Sequence, residues 1–411
     1  MVIQTRFGTR LAIAVATFAY FVAVTQRSSL GAVSNQAIER FSVLAVELST
    51  LAVVQLLAYA AMQIPAGFII DRFGIRWSMT FGLALIAIGQ VQVAVAEQYW
   101  LAAGGRLLLG VGDAFIFISL VRLIQASLAG RKGATWQQLL TNIGQLGQVA
   151  SAIPFAWLLG IYGWTSAFIG LAALALAAAA LVVLGAASTP QPKIVEGTAN
   201  LAESLRATLA DPAARAAFWT HFTLQSSGST FVLLWGRTYL EHVYEVTDAQ
   251  AGLILSSFVV FAFALGPIIA RVSTRSPIWR QRVVTAIALW IAVSWVCVEL
   301  LTDSLGVLSI WLVMPALAAG GAGSMIAFQI TQGYCPKPRL GIANGFANIG
   351  GFLATLLMMA LVGFVVDVVF ATGLSTERYS AIGLEAGMAS HLLILFFGFW
   401  RFRKNHAKLS V

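Results

Sequence analysis

The stretch Gly67-Phe-Ile-Ile-Asp71-Arg72-Phe-Gly74-Ile-Arg76 lies between two apolar runs, each about 20 residues long and so long enough to cross a bilayer. Gly67 and Gly74 allow neighbouring backbones to approach closely. Asp71 can lie on the N-terminus of a neighbouring helix, where negative charge is favourable. Arg72 and Arg76 favour the cytoplasmic side of a membrane. The stretch therefore indicates a charged hinge between two membrane helices.

The composition is that of a polytopic membrane protein. Of the 411 residues, 59% are hydrophobic and only 10% are charged, and the mean hydropathy is +0.85. Soluble globular domains carry about 25% charged residues, so this much apolar surface must face lipid. The net charge of +9 does not indicate nucleic-acid binding, because the basic residues form no stripe interleaved with stacking aromatic residues.

Twelve apolar segments are long enough to span a bilayer, which requires about 20 residues. The longest hydrophilic interval divides them into six and six. We therefore predict an all-α membrane protein with an N-terminal six-helix bundle over 1–186, a linker over 187–213 and a C-terminal six-helix bundle over 214–411. Within the linker, Leu201 to Leu209 has the pattern of a short amphipathic helix. The predicted spans are 10–33, 48–70, 77–96, 101–124, 135–158, 164–186, 214–240, 250–271, 282–301, 305–333, 341–366 and 381–400.

Basic residues are distributed unevenly between alternate loops. With both termini in the cytoplasm, most of the 25 Lys and Arg residues lie on the cytoplasmic side, and only Arg40 and Arg378 lie in outside loops. Because loops rich in Lys and Arg remain cytoplasmic, we predict cytoplasmic termini, a cytoplasmic linker and a place in the cell's inner membrane. Three arginines remain inside apolar spans, namely Arg27, Arg106 and Arg237.

The Gly67–Arg76 stretch resembles the loop between the second and third helices of the major facilitator superfamily. The pattern of that loop is Gly-x-x-x-Asp-Arg-x-Gly-x-Arg, and every defined position is matched. A weaker echo, Gly266-Pro-Ile-Ile-Ala270-Arg271, ends the eighth span and lacks the acid. The resemblance implies the major facilitator fold, with twelve transmembrane helices in two pseudo-symmetric six-helix bundles and a substrate site between them at the membrane midplane. It also implies a gating motif formed by Gly67, Asp71, Arg72, Gly74 and Arg76.

Arg27 lies inside the first span. A charge at the bilayer centre costs about 2.5–3.5 kcal/mol on insertion scales and marks function by default. Helical spacing puts Tyr20 on the same face as Arg27. A guanidinium beside a phenol suits a carboxylate or a phosphate, because its donors form a fixed, planar fork. Tyr20 and Arg27 are therefore candidate substrate ligands. Alternatively, Arg27 extends to the outer headgroups or pairs with an acid as a structural element.

The fourth span contains Gly105-Arg106-Leu-Leu-Leu-Gly110-Val-Gly112-Asp113. Arg106, Gly110 and Asp113 share one helix face, and the glycines allow tight helix packing. Burial disfavours the charged form of a lone carboxylate, so Asp113 can take up and release a proton, as a proton-coupling group must. The alternative is a static ion pair between Arg106 and Asp113 that holds the bundle together.

An arginine in the first span, combined with Gly-Arg-x-x-x-Gly-x-x-acid in the fourth, is similar to the anion:cation symporter branch of the same superfamily. That branch takes up organic anions together with protons. The resemblance implies that Arg27 contacts the substrate and that Asp113 carries the proton, with Arg106 beside it. This chain has Gln26 where the branch usually has an acid, and Asp113 where it usually has Glu. Direct coupling between an arginine and an acid within the first span is therefore missing.

Polar side chains also line later spans. His221, Gln225 and Ser229 form a stripe along the seventh span, which is a usual cavity wall in this superfamily, and Asn344 and Asn348 lie one turn apart in the eleventh. We take Gln225, Asn344 and Asn348 as candidate substrate ligands. About half of the amides in the spans are expected to act as hydrogen-bonding contacts between helices instead. His221 lies near the cytoplasmic end of its span, so a structural role is favoured.

Arg237 lies near the outer end of the seventh span. It can recruit anions at the mouth of the transporter, or it can pair with Glu241 one turn further along the helix. The simple pair with Glu241 is the favoured interpretation.

The chain contains no Walker-type phosphate loop, no metal-ligand cluster and no nucleophile constellation. We therefore expect neither an enzyme nor an ATP-driven pump, and neither a metal nor a cofactor. The prediction is a secondary transporter in the lipid bilayer that takes up a small organic anion with protons by alternating access and functions as a monomer.

Two alternatives stay open. The first is a proton-driven exporter of an amphipathic or drug-like compound, which the 26 Phe and 12 Trp residues do not exclude. Exporters of that kind usually carry a Gly-Pro-rich motif in the fifth span, and Gly144-Gln-Leu-Gly147 with Pro154 matches it only weakly. The second alternative is a membrane receptor that uses the same fold without transporting a substrate.

Overall fold

The computed structural model describes residues 6–43, 45–128, 130–185 and 200–406, and within these ranges the chain forms helices and no strand. A π-helical turn, Ser151–Phe155, joins the last two helices of the first part. The helices of that part are α1 (Arg6–Ala32), α2 (Ser34–Phe41), α3 (Ala45–Phe73), α4 (Ile75–Val95), α5 (Tyr99–Ser127), α6 (Gly130–Gln145), α7 (Gly147–Ala150) and α8 (Ala156–Gly185).

The later part of the chain is also helical. Short irregular turns interrupt it at Phe231–Trp235 (π), Gly306–Ser309 (3-10) and Lys337–Arg339 (3-10). Its helices are α9 (Leu201–Ala210), α10 (Pro212–Thr230), α11 (Gly236–Val243), α12 (Asp248–Ser273), α13 (Pro277–Leu305), α14 (Ile310–Ser324), α15 (Ile326–Tyr334), α16 (Leu340–Ala371) and α17 (Ala381–His406).

Ten helical stretches among the described residues are long and apolar enough to cross a membrane. One of them, Gly130–Gly185, has 56 residues and so covers two of the predicted spans. It is broken at Gly163, where φ is 76°, a backbone conformation that glycine adopts without strain. The predicted seventh span corresponds to α10 and α11, which are not among the ten. The all-α prediction is confirmed.

The chain folds into two compact units. The first comprises Met1–Ala129, Leu140–Thr208 and Pro336–Gly345, and the second comprises Gly130–Leu139, Leu209–Cys335 and Phe346–Val411. The division into 1–186, 187–213 and 214–411 stays a prediction, and residues 187–199 of the predicted linker lie outside the described residues.

The amphipathic helix that the sequence predicts within the linker is α9. Asn200 and Glu203 form reciprocal hydrogen bonds at its N-terminus. The Asn200 side chain accepts a hydrogen bond from the backbone N–H of Glu203 at 2.9 Å, and the Glu203 carboxylate accepts one from the backbone N–H of Asn200 at 3.2 Å. Reciprocal capping of this kind satisfies two donors that a helix start otherwise leaves unpaired.

In the first unit, glycines bring α4 and α5 into close contact. A Cβ atom on Gly82 would lie 2.5 Å from the carbonyl oxygen of Gly112, and a Cβ atom on Gly89 would lie 2.5 Å from that of Gly105. Real Cβ atoms do not approach a carbonyl oxygen this closely, so any larger residue would separate the helices. The contact fixes the position of α5, which carries Asp113 directly after Gly112, within the first unit.

Candidate substrate and proton site

The first unit contains a buried ion pair between α1 and α5. Arg27 donates from Nε to Oδ2 of Asp113 at 2.7 Å and from Nη2 to Oδ1 at 3.1 Å. The Asp113 side chain is fully buried, whereas that of Arg27 is 19% exposed. Within the described part of the chain, the third nitrogen of Arg27, Nη1, has no hydrogen-bond partner. Arg27 therefore has one side engaged by a carboxylate and another side available.

Arg106 does not pair with Asp113, so the static Arg106–Asp113 pair is wrong. Its Nη2 donates to the backbone carbonyl of Arg27 at 2.8 Å and to the side-chain oxygen of Gln55, and its Nη1 donates to the backbone carbonyl of Gln26 at 3.4 Å. The guanidinium thus binds the carbonyl oxygens of α1 directly at the residue that holds Asp113. The physical reason is helix packing, which brings Arg27 across from α1 to Asp113 and leaves Arg106 facing the α1 backbone.

Three buried glutamines form a hydrogen-bonded cluster with Arg106, beside the Arg27–Asp113 pair. Gln90 donates to the side-chain oxygen of Gln26 at 2.6 Å, and Gln26 in turn donates to the carbonyl of Leu171 at 2.7 Å. Gln55 accepts a bond from Arg106. Amides satisfy buried polar groups without adding charge, so the only acid in this cluster is Asp113 among the residues the structure describes. Gln26 occupies the position where the symporter branch usually has an acid, and it joins α1 to α4 and α8 instead.

Two tyrosines lie near the pair. The Arg27 guanidinium lies over the ring of Tyr59, 4.9 Å from its centroid, a cation–π contact. The Tyr20 hydroxyl accepts a hydrogen bond from Gln145 at 2.6 Å. Gly144 packs directly against the Tyr20 ring, where any side chain would collide. Tyr20 is 3% exposed and is engaged by α6, and its role as a substrate ligand beside Arg27 stays a prediction.

The gating stretch contacts the N-terminus of α16 within the first unit. Asp71 accepts hydrogen bonds from the backbone N–H groups of Gly341, at 2.7 and 3.0 Å, and of Ile342, at 3.1 Å. It also forms an ion pair with Arg122 at 3.2 Å. The expectation that Asp71 can lie on a helix N-terminus therefore matches the geometry, while its role in gating stays a prediction. Gly67 packs against the Gly341 carbonyl with no room for a Cβ atom.

The remaining gating residues have simpler surroundings. Gly74 caps the start of α4 with φ at 84°, a conformation that favours glycine. Arg72 is exposed and lies over the Phe73 ring at 5.9 Å, and Arg76 lies over Trp77 at 5.0 Å.

The candidate ligands of the later spans are divided between the two units. In the second unit, Gln225 donates to Ser229 at 2.7 Å and accepts from Ser324 at 3.0 Å. In the same unit, Asn348 contacts His221 at 3.3 Å. The bond to Ser229 lies within α10, whereas the contacts with Ser324 and between His221 and Asn348 join different helices, as expected for interhelical hydrogen bonds.

Asn344 belongs to the first unit, where it donates to Gln125 of α5 at 2.8 Å. Although Asn344 and Asn348 lie one turn apart, they are engaged by different units. Arg237 pairs with Glu241 at 3.0 Å, and the favoured interpretation of that residue is confirmed.

Sequence reasoning missed Gln55, Tyr59, Gln90 and Arg122. Each lies inside or at the end of a predicted span, so the signal was the same one that singled out the other polar positions. Arg122 is the clearest omission, because it is a further arginine within the predicted limits of a span and is the ion-pair partner of Asp71.

The chain belongs to the Major Facilitator Superfamily, whose family profile matches residues 16–359. It is therefore a multi-pass membrane transporter with the all-α fold of that superfamily, and not an enzyme. Its relatives imply a small-molecule substrate.

Two relatives match most of the chain. The "Probable nitrate transporter NarT" of Staphylococcus carnosus (strain TM300) is 23% identical over 328 residues, which are 76% of this chain and 78% of the relative. The "Probable galactarate/D-glucarate transporter GudP" of Bacillus subtilis (strain 168) is 23% identical over 381 residues, which are 82% and 81% of the two chains.

A solved structure confirms the fold. The crystal structure of a bacterial homologue of the iron transporter ferroportin superposes with a TM-score of 0.73 at 13% identity, and the match covers 98% of this chain and 100% of the other. Identity this low supports the fold and nothing about the substrate.

Proposed function

We propose that this protein takes up a small organic anion together with protons by alternating access, as transporters of the anion:cation symporter branch do. The observation that carries the proposal is the Arg27–Asp113 pair. One guanidinium faces a fully buried carboxylate and still keeps a nitrogen without a described partner.

Arg27 then has two competing ligands. When Asp113 is charged, it holds Nε and Nη2 of Arg27 and lowers the attraction of the guanidinium for any other anion. A proton on Asp113 removes that negative charge and leaves Arg27 as an uncompensated cation, which is costly in a buried site. A substrate carboxylate can then take over the planar fork of donors.

Competition of this kind couples the two ligands. A proton on Asp113 strengthens anion binding, and by thermodynamic linkage a bound anion strengthens proton binding at Asp113 by the same factor. Coupling free energies between sites are typically about 1–3 kcal/mol, or about 5–150-fold in affinity. Binding the two ligands together is the requirement for symport.

The two relatives support an anionic substrate, because nitrate, galactarate and D-glucarate are all anions at neutral pH. Galactarate and D-glucarate are dicarboxylates and suit a bidentate guanidinium. We therefore propose a small carboxylate as the substrate class, with Arg27 as its main ligand and Tyr20, Gln225, Asn344 and Asn348 as further candidates.

Uptake into proteoliposomes tests the function directly. Purified protein is reconstituted with a neutral lumen, and uptake of labelled galactarate, D-glucarate and nitrate is followed with an acidic or a neutral exterior. We expect uphill accumulation of a carboxylate only with the acidic exterior, and its loss when a protonophore is added. Arg237→Ala, which removes an arginine already paired with Glu241, should transport normally. Accumulation that ignores the proton gradient would contradict the proposal.

We also propose that the protein lies in the inner membrane as a monomer with both termini in the cytoplasm, as the distribution of basic residues predicts. A cysteine introduced at Thr376, an exposed position after α16, should react with an impermeant reagent added outside intact cells. A cysteine at Thr198 should not react. The reverse labelling pattern would invert the topology.

A further inference from the structure

Two arginines flank Trp279 in sequence at the start of α13. Arg275 comes just before the helix, and Arg282 lies within it. The guanidinium carbons of Arg275 and Arg282 each lie 5.4 Å from the centroid of the Trp279 ring. All three side chains are exposed. We call these three residues the α13 clamp.

The positive charge of the α13 clamp has no partner within the described part of the chain. Arg275, Arg280 and Arg282 form no salt bridge with any described carboxylate. The first turn of α13 contains no acid. A helix N-terminus carries a partial positive charge, so cations there are unfavourable unless an anion offsets them.

An apolar surface leads away from the α13 clamp. Arg282 lies one turn after Ile278 and two turns before Leu289, and Val293 and Val296 continue the same helix face. The four apolar side chains are between 46% and 62% exposed. In a membrane-spanning chain, an exposed apolar face of this kind lies against acyl chains. Tryptophan at its end is typical of the level of the lipid headgroups.

We propose that the α13 clamp binds one anionic phospholipid. Its phosphate accepts hydrogen bonds from the guanidinium groups of Arg275 and Arg282, its glycerol region lies beside Trp279, and its acyl chains follow the exposed face of α13. Charge complementarity favours an anionic lipid over a zwitterionic one. This site lies outside the Arg27–Asp113 pair, so it stands whether or not that pair couples protons to an anion.

The end of α17 offers a matched comparison. Arg401 lies 5.0 Å from the ring centroid of Trp219 and 5.8 Å from that of Trp400, and Lys404 lies 5.8 Å from that of Trp400. Like the α13 clamp, this end combines two cations with an exposed tryptophan, Trp400. However, these cations lie at a helix C-terminus, where the helix dipole already stabilises them. They do not require an external anion.

Lipid binding to purified protein tests the proposal. Retained lipids are counted by native mass spectrometry, and melting temperatures are measured with dioleoylphosphatidylglycerol, dioleoylphosphatidylcholine or free glycerol 3-phosphate. Wild type should retain phosphatidylglycerol in preference to phosphatidylcholine and should be stabilised by it. Arg275→Gln/Arg282→Gln should lower that affinity by about tenfold or more. Arg401→Gln/Lys404→Gln, with the same change of charge, should leave it unchanged.

Three results would overturn the site. If wild type showed no preference for phosphatidylglycerol, the site would not exist. If both double variants lost the same affinity for phosphatidylglycerol, the binding would be a general effect of net charge. Stabilisation by glycerol 3-phosphate equal to that by the lipid would show a phosphate site rather than a lipid site. Arg275→Lys/Arg282→Lys keeps both charges and should keep the preference for the lipid. If the Gln double variant does not fold, the two single Gln variants at these exposed positions repeat the comparison.

Discussion

Two of the arginine–aspartate pairs in the described part of the chain have nearly identical geometry in very different surroundings. Arg27 binds Asp113 through Nε and Nη2 at 2.7 and 3.1 Å, and Arg378 binds Asp367 through Nε and Nη2 at 2.8 and 3.0 Å. Asp113 is fully buried, whereas the Asp367 side chain is 52% exposed. The two pairs have the same hydrogen bonds and differ in their exposure to solvent.

Burial decides what each pair can do. Water solvates both members of the exposed pair when they separate, so the pair contributes little to stability. Asp113 has no water to replace Arg27, so a separated Asp113 must bind a proton or leave a buried charge. The same two types of side chain therefore form a surface contact in one place, and in the other a buried pair that we propose links a proton to an anion.

The largest expected effect is at Arg27. Arg27→Ala should abolish anion binding, and Arg27→Lys should be almost as harmful, because a point charge cannot replace a two-pronged donor. Each hydrogen bond to a charged group is worth about 1.5–3 kcal/mol, or at least about tenfold in affinity. Calorimetric titration of the purified variants with galactarate or another transported carboxylate measures the loss. If Arg27→Lys bound the carboxylate with wild-type affinity, the two-pronged guanidinium would not be what binds the anion.

The next effect is at Asp113. Asp113→Asn resembles a permanently protonated carboxyl, so the variant should lose accumulation driven by a pH gradient while it still exchanges substrate between the two sides of a proteoliposome. The cation that loses its carboxylate in this variant is Arg27, which is 19% exposed and keeps its contact with the Tyr59 ring. We therefore expect a loss of stability below the about 3–5 kcal/mol that follows when a buried charge loses its only partner.

Two outcomes would contradict the role of Asp113 as the proton carrier. An Asp113→Asn protein that still concentrates substrate against its gradient would exclude Asp113 as the proton carrier. A protein that melts far below wild type and fails in exchange as well would show a structural pair.

A smaller effect is expected at Asp71. Asp71→Asn removes a charge from the N-terminus of α16, an interaction worth about 0.3–1 kcal/mol and up to about 2 kcal/mol when partly buried. That change shifts the equilibrium between the states with and without the contact of Asp71 and α16 severalfold. Hydrogen exchange should become faster at the backbone amides of Gly341 and Ile342. Arg72→Gln, at an exposed neighbour, should leave both amides unchanged, and equal exchange in all three proteins would make Asp71 only a loop charge.

The smallest effect is at the exposed pair. Asp367→Asn should leave the melting temperature, substrate affinity and pH dependence of transport at wild-type values, because solvent replaces the lost contact. A thermal-shift measurement beside Asp113→Asn checks this. If the two variants behaved alike, burial would not be what distinguishes the pairs.

Much of the fold followed from local patterns. Span lengths, the Gly67–Arg76 stretch and the short helix at Leu201 depend on residues near one another in sequence, and the structure has a helix at each predicted position. The partner of Asp113 depends on something else. Arg106 shares a helix face with Asp113, yet the bond comes from Arg27 on another helix.

The packing of α1 against α5 decides this choice, because Arg27 on α1 bonds Asp113 on α5. Close glycine contacts, such as that of Gly112 on α5 with Gly82 on α4, bring helices of the first unit together. One sequence shows that glycines are present but not which neighbour they meet. The same limit explains the omission of Arg122, since its importance appears only when Asp71 lies beside it. Asn344 and Asn348, one turn apart, likewise have hydrogen-bond partners that spacing along one helix does not reveal, and their role as substrate ligands stays a prediction.

Anion affinity measured as a function of pH, in wild type and in Asp113→Asn, tests most directly whether the anion and Asp113 share Arg27. Wild type should bind a transported carboxylate more tightly as the pH falls, because protonation of Asp113 releases Arg27. Asp113→Asn should bind it at all pH values as tightly as wild type does at low pH. If both proteins showed the same dependence on pH, or if Asp113→Asn lost binding while remaining folded, Asp113 would not compete with the anion for Arg27.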